Sequence, residues 1–341
     1  MHAAPSRRAG RALARSRRRT DLPIHYRTFR NPDPPALVRI WNQSFAGRGA
    51  AFLQGATPLE YHVLAKPYFD PAGLILAVDD DGAPVGFVHA GFGPDQTGQK
   101  LAGDPGMICA LAVQPSARGH GVGSELLRQA EGYLRARGAK SIYVGGAQGR
   151  QPFYWGVYGG CEPAGVLCSD ASADPFLRKN GFELVATHLV LQRVLDQPIN
   201  VADARFAGIR RRTELKIAPR ASAKVWYDEC VIGPLEMLHF QLHEQASGHI
   251  VAEAHVWDMD LFGWRWHQPA AGLIDLSVIE SRRRQGLGKY IVFQVVKYLQ
   301  EQFFTLMETQ AASTNAAAIG LFRGLNFQEV DEGRVYRLRD S

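Results

Sequence analysis

Two consecutive units of α/β class, each a mixed α+β sheet covered by helices, are predicted by three observations. The first is a strand, glycine turn and helix element that occurs twice: Arg118-Gly119-His120-Gly121-Val122-Gly123 and Arg283-Arg284-Gln285-Gly286-Leu287-Gly288, both RxxGxG. The second is the matched setting of the two copies, with the apolar stretches Met107 to Val113 and Ala271 to Val278 ahead of them and an amphipathic helix behind. The third is a length of 341 residues, enough for two cores of ordinary size.

In chain order, Ile24 to Arg27 reads as a short strand, and Pro34-Pro35 opens a helix with Leu37, Ile40, Trp41 and Phe45 at helical spacing. A second helical stretch lies around Pro58 to Tyr68. Leu74 to Val78 and Val85 to Phe92 read as hairpin strands around the turn cluster Asp79-Asp80-Asp81-Gly82. The strand ending at Val113 and a helix from Gly123 to Arg137 follow, the latter striped with Leu126, Leu127, Ala130, Tyr133 and Leu134 and capped by Gly138. After a strand at Ser141 to Val144, residues 145–175 form a long loop rich in Gly, Pro and aromatics, a candidate for shaping an acceptor pocket.

The expected organisation is a basic tail at 1–22, a first domain at 23–195, a polar linker at 196–206 and a second domain at 207–341. Residues 215–259 alternate strand-like segments, VWYDECVI at 225–232 among them, so the second domain is expected to lack clear early helices. Its later half carries a helix striped with Tyr290, Ile291, Val295, Tyr298 and Leu299, a strand around Leu306 to Glu308 and a helix ending near Asn326, whose side chain tolerates a left-handed turn.

The use of an RxxGxG turn is anion capture: the glycines leave backbone N–H groups uncovered, the helix adds the positive end of its dipole, and the arginine adds a forked cation. A pyrophosphate suits such a turn. The run is not a P-loop, because Gly288-Lys289 is followed by Tyr290 and position 283 is Arg. Nor is it the dinucleotide GxGxxG turn, since Leu126 and Ile291 stand where its last glycine belongs.

Leu111-Ala112-Val113-Gln114-Pro115 with RGHGVG resembles the acyl-CoA signature of the GNAT acyltransferases, and Leu276-Ser277-Val278 with RRQGLG resembles a second instance. Asn315 to Phe327 is similar to the family's NxxAxxLYxxxGF element, and Phe176 to Phe182 to its end. The resemblance, which covers nearly everything from residue 23 on, implies a tandem GNAT protein using acetyl-CoA to acylate a primary amine by direct transfer. It implies cofactor contacts from Leu111, Val113, Arg118, Gly119, Gly121 and Gly123 in one copy, and from Leu276, Val278, Arg283, Arg284, Gly286, Gly288, Asn315 and Phe322 in the other. The thiolate-protonating tyrosine of many members is absent: Leu177 and Phe322 stand there. Tyr154 and Tyr158 of the aromatic loop are the candidate replacements. Asp275, on the opposite strand face from Ile274, Leu276 and Val278, is the candidate general base, or else a hydrogen-bond acceptor for a neighbouring strand. The loss of both tyrosines also leaves a non-catalytic acyl-CoA-binding protein as an alternative.

Composition narrows the rest. With 46% hydrophobic and 21% charged residues the chain is globular. The net charge of +6 is accounted for by residues 1–22, which hold seven arginines and one acid, so the body is near neutral and nucleic acid is not expected as a partner. The tail is expected to be a solvated extension. Four scattered cysteines and no HExxH spacing argue against disulfides and metal and for a cytoplasmic protein. No run has transmembrane length. Acceptor specificity sits in loops without a transferable motif, so small amine, aminoglycoside, peptide N-terminus and lysine side chain all stay open.

Overall fold

One mixed sheet of thirteen strands runs through both halves of the chain. The computed structural model describes residues 23–146, 151–199, 203–223 and 225–339; the tail 1–22 and what was expected of it lie outside the described residues. The first half runs β1 (His25–Thr28), α1 (Pro34–Ser44), α2 (Thr57–Leu59), β2 (Leu74–Val78), β3 (Pro84–Pro94), β4 (Leu101–Val113), α3 (Val122–Ala136), β5 (Ile142–Val144), β6 (Val166–Leu167), α4 (Ala173–Lys179) and β7 (Phe182–Val194). The second runs α5 (Arg205–Arg212), β8 (Thr213–Pro219), α6 (Trp226–Ile232), β9 (Met237–Glu244), β10 (Ile250–Asp258), α7 (Asp260–Trp266), β11 (Ala270–Val278), α8 (Leu287–Glu301), β12 (Leu306–Ala312), α9 (Ala316–Arg323) and β13 (Gln328–Leu338).

Twelve of the strands follow the order β1-β2-β3-β4-β5-β13-β7-β12-β11-β10-β9-β8, with β6 paired to β13 off this path, and the order reads the same from either end once the halves are interchanged. Each half therefore places its last strand against the other: β13 lies between β5 and β7, while β7 lies between β13 and β12. The period-2 patterns of the two strands are local, but their partners are a half-chain away.

Helix periodicity explains how each half is covered. Val122, Leu126, Leu127, Ala130 and Leu134 of α3 are buried and pack on Ile75, Val88, Ile108 and Ile142 of the strands beneath. Five such side chains contribute on the order of 10 kcal/mol of apolar burial before chain entropy is set against it. The second helix of this kind, α8, buries Leu287, Tyr290, Ile291, Val292, Val295, Val296 and Leu299 on Phe240, Leu242, Val256, Leu273 and Met307.

Two expectations are corrected. VWYDECVI is not a strand: Trp226–Ile232 is helix α6, and Arg205–Arg212 forms α5, so short helices do precede and interrupt the strands of the second half. Tertiary packing overrides the strand propensity of this segment. Tyr227 stacks on Tyr68 at 5.7 Å, Trp226 meets the same ring edge-on at 5.9 Å, and Lys66 donates to the Cys230 and Val231 carbonyls at the helix C-terminus. The long loop is likewise not wholly irregular, since it contains β6 and ends in α4.

The halves also meet where the end of the β10–β11 hairpin reaches the segment after α1. Helix α7 caps the β10 hairpin, where Arg265 donates to the Phe45 and Ala46 carbonyls and the Trp266 indole N–H to Arg48 O. Arg48 in turn pairs at 3.0 Å with Glu308, whose side chain is fully buried and also receives the Cys161 N–H and the Gln192 amide. Among the described residues no helix is long and apolar enough to cross a membrane.

Candidate functional site

Strands β4 and β5 pair in parallel only from Gly106↔Ile142 to Ile108↔Val144 and then part. At the parting point Cys109 is an extra residue against β3, whose register steps from Ala90↔Ile108 to His89↔Ala110. Such a bulge re-aims the main chain locally. Beyond it the β5-facing edge of residues 109–113 has no partner strand among the described residues, which leaves main-chain groups for a ligand.

A cavity of about 350 Å³ opens in this wedge. Its walls are Cys109 to Val113 of β4, the turn residues Arg118, Gly119 and Gly121, Gly123 and Ser124 at the start of α3, Trp41 of α1 and Phe45 just after it, Phe176 and Leu177 of α4, and Gln151, Tyr158 and Pro163 of the long loop. The volume lies in the range of small-molecule sites. Gly121 begins α3 at φ +81°, and a Cβ on it would meet nothing within 4 Å, so the turn is open on its ligand side. Arg118 supports this turn from within: its Nε donates to Val113 O at 2.9 Å and one terminal nitrogen to Ser44 O at 3.2 Å. Gln151 donates to Phe153 O at 2.7 Å, which fixes its amide, and its Oε1 is buried with no partner among the described residues. Ser44 Oγ is in the same position. A ligand with one phosphate-bearing end and an arm of amide groups meets these requirements, and acyl-CoA is such a ligand.

The tyrosine candidates separate. Tyr158 lines the cavity, and its oxygen accepts the Leu167 N–H at 3.2 Å, leaving its own proton available. Burial raises its pKa, so the phenol is neutral. Tyr154 is core: it stacks on Trp41 at 5.5 Å, and its hydroxyl lies 3.1 Å from His89 Nδ1. Burial also pushes the Cys109 thiol up, away from nucleophile character.

The second half repeats the frame with a different filling. Strands β11 and β12 pair from Ala270↔Leu306 to Leu273↔Thr309, and the bulge falls at Asp275, whose φ is +52°. Asp275 Oδ2 lies 3.6 Å from His255 Nδ1. His255 holds the strand position that His89 holds in β3, a duplication missed in the sequence because the halves differ in spacing by one residue there. Leu276 and Val278 pack against the core of their own half, Arg283 Nε donates to Val278 O at 3.3 Å, and Arg284 takes φ +62°. Gly286 starts α8 at φ +89°, and Gly288 stands in the following helical turn. Two expected cofactor contacts have other places: Asn315 Oδ1 caps α9 through the Ala318 N–H, and Phe322 is buried against Phe327.

Comparison with known proteins agrees with this geometry. Residues 24–156 match the model of the acetyltransferase (GNAT) family, and residues 257–336 match the FR47-like protein model. Residues 24–156 are a GNAT-family domain. The chain is 31% identical over 142 residues to a mycothiol acetyltransferase of Saccharopolyspora erythraea, covering 40% of this chain and 43% of that protein. It is 35% identical over 126 residues to one of Propionibacterium freudenreichii, covering 36% and 38%. These alignments span about two fifths of the length of the curated relatives. A tandem GNAT protein from the clavulanic acid biosynthesis pathway superposes at a TM-score of 0.65 with 15% identity, over 94% of this chain and 100% of that one. This likeness extends the tandem fold to the whole sheet.

Between the two GNAT halves, the loop after Tyr158 carries a residue that sequence reasoning did not single out. Glu162 is held by its own carbonyl, which accepts the Gln310 amide at 2.8 Å, and the charges of Asp275 and Glu308 act on its carboxyl. Burial, then the charges of Asp275 and Glu308, push its pKa up to about 8. Nothing in the local sequence marks it, because its neighbours come from the other half. Among the described residues no cluster of three His, Cys, Asp or Glu side chains is placed to hold a metal.

Proposed function

We propose that the protein is an acetyl-CoA-dependent N-acetyltransferase that acts on a primary amine, with the first half's wedge as the cofactor site. The observation that carries this reading is the cavity itself, in which an open glycine turn at a helix N-terminus and an unpaired strand edge converge. Gly119, Gly121 and Gly123 would take the diphosphate, and Leu111 and Val113 the arm. Acetyl-CoA supplies an activated acyl group as a thioester. The chain's own residues have three tasks: to present main-chain N–H groups at the bulge where carbonyl charge develops, to exclude water with Trp41 and Phe45, and to move protons.

Tyr158 is the proposed proton donor to the leaving thiolate, because it lines the cavity and its oxygen accepts a backbone N–H, a contact that leaves its own proton unused. Asp275 lies outside the cavity walls, beside His255, so its role as general base remains a proposal tied to the second half. The named relatives favour a small-molecule acceptor, and a mycothiol-type amine is the first to try.

A second reading, an acyl-CoA-binding protein without turnover, is favoured by the burial of Phe322 and Leu177 at the positions where the family resemblance expects a proton donor. One assay separates the two. Release of free CoA thiol is followed with acetyl-CoA and a panel of small amines, and acetylated product is weighed by mass spectrometry. Amine-dependent release that disappears in a folded Gly121→Trp variant supports the enzyme; saturable acetyl-CoA binding with no release for any amine supports the second reading.

A further inference from the structure

The two glycine turns differ in what lies over them. At Gly121 a Cβ would meet open space, whereas at Gly286 it would come within 3.1 Å of Arg205 Nε and 3.2 Å of its Cζ. Arg205 is held there by a forked pair with Asp203, Nη2 to Oδ2 at 2.6 Å and Nε to Oδ1 at 2.8 Å. The Asp203 side chain is 8% exposed and lies 3.8 Å from Lys289 Nζ, in the first turn of α8. In the first half the residue corresponding to Lys289 is Ser124, which lines the cavity and carries no charge.

The segment is anchored as well as charged. Phe206, next in the chain, meets Tyr290 at 5.1 Å and Phe293 at 5.2 Å on α8, and Ile209 one turn on is buried in the same core. A carboxylate fixed among an arginine, a lysine and the positive end of a helix occupies the electrostatic place of a phosphate. A diphosphate entering here meets a like charge already satisfied by the cations it needs.

Resting on the acyl-CoA reading above, we propose that the second glycine turn is a masked diphosphate site, with Arg205 and Lys289 as its cations and Asp203 as the built-in anion that holds it shut. Each chain then loads one acetyl-CoA, at the first turn. Release of Asp203 converts Arg205 from a cover into a phosphate ligand.

Calorimetric titration of acetyl-CoA into the full chain tests this. The expected stoichiometry is one per chain, abolished by Gly121→Trp. Asp203→Ala, and Asp203→Asn as the variant that keeps one acceptor oxygen for the Arg205 backbone and Nε N–H groups while removing the charge, should each add a second site by a gain of roughly 10- to 100-fold at that turn, the scale of one charge-assisted contact. That second site should vanish when Gly286→Trp is added, with the first unchanged. Two sites in the unaltered protein, or one site in both folded Asp203 variants, overturns the masking. No binding by any of them overturns the acyl-CoA reading itself, and the masking with it.

Discussion

At Tyr158 one hydrogen bond motivates the proposed role of proton donor. The Leu167 N–H donates to the phenol oxygen, so that contact leaves the phenol proton unused beside the cavity. Tyr158→Phe should lower kcat on the order of 100-fold while acetyl-CoA binding stays within about twofold; transfer at the native rate in a folded variant removes Tyr158 from the chemistry. Glu162 makes a different prediction, about stability. Its pKa in the folded protein is pushed up to about 8 from an ordinary 4.5, so between these pH values the folded state holds a proton that the unfolded chain does not. Stability from this group is therefore present below pH 4.5, falls as pH rises through the window and is fully lost above 8. Glu162→Gln should raise the melting temperature by several degrees at pH 8.5 and leave it unchanged near pH 4.5, as thermal melts at the two pH values will read; an equal shift at both would mean that packing, not charge, is responsible. Tyr158 could be singled out from sequence because it stands in an aromatic loop. Glu162 could not, since Asp275 and Glu308 reach it only through the fold.

Among the elements, the strand, turn and helix units were the most legible, because glycine spacing and apolar periodicity are local properties. Both turns begin their helices on a left-handed glycine, at φ +81° and +89°. Helix α6 was not legible: Val225, Trp226, Tyr227 and Val231 have strand propensity, and Tyr68 and Lys66 of the other half settle the segment as helix. Nor could composition separate α5 from a polar linker, as its three terminal arginines and single buried Ile209 leave little apolar pattern. The paired turns allow a controlled substitution. Gly121→Val should destabilise the protein by about 1–2 kcal/mol for a β-branched residue at positive φ, and Gly286→Val by at least as much, because there the Cβ also presses on Arg205. Only the first should also weaken acetyl-CoA binding, because only there is the turn open to ligand. Paired melts and titrations check this, and equal losses of affinity would show that both turns are loaded.

For the whole molecule, the decisive feature is the exchange of β7 and β13, which no local pattern specifies. Without β13, the first half would present β5 and β7 as two bare edges and lose the Gln328–Leu338 partner along nearly all of β7. Unpaired edges of that length seek another strand. Residues 23–195 expressed alone should therefore fail to give a folded monomer and should appear in size-exclusion chromatography as a strand-swapped dimer or as aggregate. The buried Arg48–Glu308 pair would be broken at the same cut, leaving Arg48 without its carboxylate. Co-expression of 23–199 with 203–341 should restore a one-to-one complex, because the sheet order needs both terminal strands present but no covalent link between them. A monomeric 23–195 fragment that melts cooperatively and keeps its aromatic near-ultraviolet circular dichroism would show that the first half closes its own sheet, and the exchanged strands would then be an addition to two independent folds, not their common core.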